Sequence, residues 1–121
     1  MIRFINCVRK RSDITSEQFR QFWNDPKLDA LIGRVVAYTG ATGHIKDLTL
    51  MVDANVLMRE RRGAAAPPFD GVLEYSWDNA SQLHSVLHTP QCDQLMQAML
   101  EYQKQFVDLE KSCAFFTEAQ E

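Results

Sequence analysis

The stretch TSEQFRQFWNDPKL, Thr15 to Leu28, opens a helix and then interrupts it. Thr15 stands where an N-cap belongs and Gln18 three residues on, which is the spacing of a capping box. Ile14 and Phe19 have the spacing of a hydrophobic staple. Phe19, Phe22, Trp23, Ala30 and Leu31 continue one apolar stripe at helical period. Pro26 falls inside that stripe. Its ring removes a backbone donor and disfavours helical geometry at Asp25, so the helix kinks there or restarts.

Elements are expected on both sides of this helix. Ile2 to Val8 reads as a first strand, with Ile2, Phe4, Asn6 and Val8 on one face and Ile5 and Cys7 on the other. Both faces are mostly apolar, as in a central strand covered on both sides. Gly33 is read as a helix stop and Val35 to His44, VVAYTGATGH, as a second strand. Residues 45–69 are an irregular insert in which Asp53 to Arg62 forms a short helix capped by Asp53, followed by the surface loop RERRGAAAPP. Phe69 to Trp77 is a third strand, with Leu73, Tyr75 and Trp77 on one face and Val72, Glu74 and Ser76 on the other. Asn79 or Ser81 caps a helix through Leu87, and Pro90 breaks it. Cys92, Leu95, Met96, Met99, Leu100 and Phe106 carry a further helix, and SCAFFT, Ser112 to Thr117, closes as a fourth strand.

The order predicts an α+β fold, ferredoxin-like βαββαβ with a four-stranded antiparallel sheet, in one domain over residues 1–121. Such a sheet has helices on one face only. Strands apolar on both faces therefore predict pairing with a second copy, a homodimer.

Bulk properties exclude several classes. The 121 residues carry a net charge of −3, which does not suit a nucleic-acid binder. No apolar run approaches the roughly 20 residues that span a bilayer, so no membrane partner is expected. MIRFINCVRKRSD has its charges after a short apolar part, unlike a signal peptide. The three cysteines, Cys7, Cys92 and Cys113, have neither zinc-site nor disulfide-framework spacing; free thiols in a reducing cytoplasm are the expectation.

Several motifs together resemble the EthD family of dimeric α+β barrel proteins. TSEQFRQFW fits (S/T)-x-E-x-F-x-x-(F/Y)-W at the start of the first helix. FDGVLEYSW, Phe69 to Trp77, fits an aspartate–glycine pair leading into a strand, and HTPQ, His88 to Gln91, follows its helix. The chain closes on FVDLEKSCAFFTE, Phe106 to Glu118. The resemblance covers nearly the whole chain. It implies a ferredoxin-like protomer, two of which join their sheets in a shared barrel, and small-molecule work without a nucleotide cofactor. The wider superfamily holds polyketide cyclases, cofactor-independent monooxygenases, muconolactone isomerase-like enzymes and haem-handling proteins. The chain departs from the family at one point. The family arrangement W-x-x-x-H-x-P is here WNDPKLD, and no histidine occurs between Trp23 and His44.

The candidates for chemistry each carry two readings. Asp25 is the nearest polar substitute for the missing histidine, a base beside apolar side chains, or else it forms a turn ahead of Pro26. His44 faces a cavity mouth and exchanges protons near neutral pH, or is an exposed strand-end residue. Tyr38 and Tyr75 are hydrogen-bond donors for a carbonyl; with Phe22, Trp23 and Trp77 they line a pocket for a small hydrophobic or aromatic ligand, or fill the core. Glu74 is a carboxylate on a covered strand, needing a partner. His84 and His88 are four apart without a third ligand, which argues against a metal site; His84 remains a ligand-binding candidate. Met96 and Met99 are core filler or an adaptable cavity wall. Two activities and a passive role follow: cofactor-free acid–base catalysis of cyclase, isomerase or lyase type, oxidation by molecular oxygen, or non-catalytic binding.

Overall fold

The computed structural model describes residues 1–120. The elements are β1 (Ile2–Val8), α1 (Ser16–Trp23), α2 (Pro26–Thr39), β2 (Gly43–Leu48), α3 (Asp53–Arg61), β3 (Gly71–Trp77), α4 (Ala80–Leu87), α5 (Pro90–Gln103) and β4 (Cys113–Glu118). The strands form one antiparallel sheet in the order β2-β3-β1-β4, the ferredoxin-like arrangement. Helices α1, α2, α4 and α5 supply buried side chains to its one covered face.

The helix interrupted by Pro26 restarts rather than kinks. Thr15 and Gln18 complete the capping box of α1, whose last residue is Trp23. Asp25 then caps α2, its carboxylate accepting from the Lys27 N–H at 2.9 Å, and Pro26 takes the first helical position, where no amide is needed. Two carbonyls in the last turn of α1 are met by side chains: Phe22 O accepts from Tyr102 Oη at 2.7 Å and Trp23 O from Lys46 Nζ at 2.9 Å.

Three expectations are corrected here. Gly33 does not stop the helix; it lies exposed within α2, where it meets no packing demand. The stop is Gly40, whose φ of 72° is the left-handed C-cap geometry that glycine suits. The segment Val35 to Thr39 is consequently helical, not strand, and β2 lies later, at Gly43–Leu48. Its β-branched residues mislead: Leu28, Ile32, Val35 and Thr39 form one buried stripe at helical spacing. In α3, Val52 rather than Asp53 occupies the cap position, without a side-chain bond.

The FDG motif is explained by packing. Asp70 Oδ2 accepts from the Lys10 N–H at 2.7 Å and its own N–H donates to Val8 O at 2.8 Å, joining the end of β1 to the start of β3. Gly71 lies directly under the Trp23 indole; a Cβ there would stand 2.8 Å from the ring.

The other sheet face carries no element of its own protomer. Across it, register places Phe115, Ile5, Glu74 and Ile45 in one row and Cys113, Cys7, Val72 and Asp47 in the next. Burial, followed by the facing Cys113 thiol, raises the pKa of Cys7.

Candidate functional site

A cavity of about 410 Å³ lies between the covered sheet face and α5, within the size range of small-molecule sites. Alternation places the inward residues of β1, β3 and β4 on its floor: Phe4, Asn6, Leu73, Tyr75, Trp77 and Phe116. Met96, Met99 and Gln103, along one side of α5, form its roof, and Val35 and Thr39 of α2 close its inner end. Exposed lining residues, Leu100, Leu109 and Phe116, mark the mouth beside β4.

Most polar groups in the wall are occupied. Trp77 Nε1 donates to the backbone carbonyl and the hydroxyl oxygen of Thr39, each at 3.2 Å, and Thr39 Oγ1 donates to Val35 O at 2.7 Å. Asn6 Nδ2 donates to Leu73 O at 3.2 Å. Tyr75 Oη is buried and has no hydrogen-bond partner in the protein. Burial pushes its pKa well above the ordinary tyrosine range, so it stays a neutral donor at physiological pH. Asp93, exposed in the first turn of α5, is the only acid that lines the cavity among the described residues, and no lysine, arginine or histidine joins it. Burial also raises the Cys92 thiol, which keeps this wall residue from acting as a thiolate near neutral pH.

The cavity gathers Tyr75, Trp77 and Met96 from the residues singled out in the sequence, and Phe4, Asn6, Asp93 and Gln103 besides. Trp23 and Phe22 are elsewhere. Trp23 stacks on Phe19 in the core, and Phe22 stacks on Phe106 at 5.1 Å. Asp25 is engaged in capping and does not line the cavity. Tyr38 Oη meets Thr89 Oγ1 at 2.7 Å; because that hydroxyl donates to Val86 O, Tyr38 is the donor, tying α2 to the start of α5. His44 is exposed near the start of β2, on the edge strand opposite Tyr75. His84 and His88 are exposed and edge-on at 5.7 Å, and no third ligating residue gathers with them among the described residues. Glu74 is on the open sheet face. Asp93 lies in the first turn of α5, one residue after buried Cys92, and nothing in its local sequence distinguishes it from a solvent-facing acid.

No family model and no curated relative matches the chain. Solved structures do share its fold. An ethyl tert-butyl ether D (EthD) family protein from Bacillus halodurans is 9% identical with a TM-score of 0.60, over 99% of each chain. A hydroxynitrile lyase from Passiflora edulis is 12% identical with a TM-score of 0.61, over 99% of this chain and 94% of that one. A dimeric protein of unknown function with a ferredoxin-like fold, from Bacteroides fragilis, is 11% identical with a TM-score of 0.59, over 98% and 95%. At these identities the likeness is one of fold, and it extends over the full chain.

Proposed function

We propose that the protein is a homodimer, joined through the open sheet faces, that holds a small neutral aromatic or carbonyl-bearing molecule in each protomer. The buried, unpartnered hydroxyl of Tyr75, a residue of the mostly apolar cavity wall, carries this reading. A ligand acceptor placed against that hydroxyl gains a hydrogen bond where the free protein has none, and the apolar wall supplies the rest of the affinity. An anionic ligand is disfavoured, because the charge it would meet is that of Asp93.

The chemistry that suits this wall is proton transfer next to a carbonyl, of cyclase, isomerase or lyase type, without a cofactor. Tyr75 would polarise the carbonyl oxygen as enolate charge develops. Asp25 and His44 stand outside the lining, so the role of base passes to Asp93 at the rim. The lyase and the EthD family protein of similar fold support a small-molecule role by analogy of fold alone. The apolar rows of the open face, and the dimeric protein of similar fold, support the homodimer. A second reading, binding without turnover, is favoured by the absence of any histidine from the cavity lining among the described residues.

The test follows deuterium incorporation from D₂O into the α-carbon of a neutral aryl ketone by NMR, alongside ligand-induced thermal stabilisation. Exchange lost in Asp93→Asn and in Tyr75→Phe supports the catalytic reading. Stabilisation without exchange supports passive binding. Neither effect, across a panel of aryl ketones, removes both.

A further inference from the structure

The segment between β2 and β3 has a composition that its own protomer does not use. Helix α3 has no buried residue. Leu50, Met51, Val52, Val56, Leu57 and Met58 are all exposed, Leu50 to 70%. At the end of α3, Arg59, Arg61 and Arg62 form no ion pair among the described residues. The segment is held mainly at its ends. Thr49 N–H donates to Asp70 O at 3.0 Å on the way out, and Arg9 donates to Pro68 O at 3.2 Å on the way back. An isolated protomer would thus present a long apolar patch to water, a feature that marks an interaction surface.

The cavity mouth is the complementary feature. Leu100 and Leu109 are each 38% exposed and Phe116 50%. Asp108 and Glu110 flank Leu109, and Glu110 is exposed without an ion-pair partner among the described residues. An apolar opening edged by carboxylates matches an apolar segment ending in three arginines.

Symmetry brings the two together. This step rests on the homodimer proposed above. Sheets that pack face to face with aligned strands cross at about 30°. A two-fold axis running along the strands sets β2 of one copy antiparallel beside β4 of the other, so that the two free edges of each sheet are covered. Leu48 at the end of β2 is in register with Gly71, Gly71 with Val8, and Cys7 with Cys113. The segment after Leu48 therefore leaves the sheet at the end where β4 begins, beside the Leu109–Cys113 stretch of the second copy.

We propose that residues 49–62 are an arm that lies across the cavity mouth of the second copy. Its leucines, valines and methionines cover Leu100, Leu109 and Phe116 there, and its arginines face Asp108 and Glu110. Each cavity is then completed by the other protomer, and ligand entry requires the arm to lift.

The test uses the full chain with Cys7→Ser, Cys92→Ala and Cys113→Ser, carrying Leu57→Cys and Leu109→Cys and treated with a short bismaleimide. Sedimentation is measured first. The expected result is a sedimenting dimer that doubles in mass on a denaturing gel, while each single-cysteine chain stays at unit mass. A dimer that gives no doubling overturns the arm's placement and leaves the homodimer standing. A sedimenting monomer overturns the homodimer and the arm with it. Should the cysteine-free chain fail to fold, amide exchange in the native-cysteine chain decides. Replacing residues 50–62 by a Gly/Ser segment of equal length is expected to speed exchange over residues 100–112 at least tenfold; unchanged exchange overturns the proposal.

Discussion

Gly71→Ala tests how the family-like FDG motif and the helix tryptophan fit together. Gly71 has no positive φ, so its backbone accepts any residue. The obstacle is steric. An added Cβ would stand 2.8 Å from Trp23 Cη2, 2.9 Å from Cζ2 and 3.2 Å from Cζ3. The indole is 2% exposed and stacked on Phe19 at 5.6 Å, so it has no free direction in which to retreat. Overpacking of this kind costs about 1–3 kcal/mol, and alanine regains about 0.5–1 kcal/mol over glycine within a strand. The net loss is about 0.5–2 kcal/mol, or about 2–8 °C in Tm at this chain length. Trp23→Phe removes the three contacted atoms, so Gly71→Ala should cost nothing in that background. Urea unfolding of all four chains, at one protein concentration, measures the coupling. A coupling below about 0.5 kcal/mol would mean the two sites act independently, and the packing account of the motif would be wrong.

Two further outcomes follow from the same interactions. Asp25→Ala removes the α2 cap and should cost about 1 kcal/mol, while leaving ligand affinity unchanged, since Asp25 does not line the cavity; calorimetry and urea unfolding read the two effects separately. Burial, and then the carboxylates of Asp25 and Asp29, push Tyr102 up to about 12. The unfolded phenol ionises first, near its ordinary value of about 10. Above that pH the unfolded chain binds fewer protons than the native one, so stability falls as pH rises from 10 towards 12. Tyr102→Phe should flatten the fall, and urea midpoints at pH 9 and pH 11 measure it.

The sequence displayed most of the fold because its signals were local. The capping box at Thr15, the alternation through Leu73, Tyr75 and Trp77, and the prolines at Pro26 and Pro90 each act within a few residues. The second half of α2 was misread because Gly33 and the pair Val35–Val36 carry local preferences that tertiary burial overrides. The site was legible only in part. Tyr75 and Trp77 could be found because strand alternation assigns a face. Asp93 could not, because its relation to the cavity depends on how α5 lies over the sheet. Asp25 attracted attention as an acid in the position of a missing histidine; its carboxylate instead meets the Lys27 amide.

The central claim is that Tyr75 holds its hydroxyl in reserve for a ligand. Tyr75→Phe tests it most directly, with stability and affinity measured on the same protein. Removing a buried hydroxyl that has no partner should leave the free protein as stable or up to about 1 kcal/mol more stable. The same change should weaken a neutral aryl ketone by about five- to tenfold in calorimetric Kd, the worth of one hydrogen bond. Equal affinity in the two proteins, or a variant destabilised by more than about 1 kcal/mol, would contradict the account.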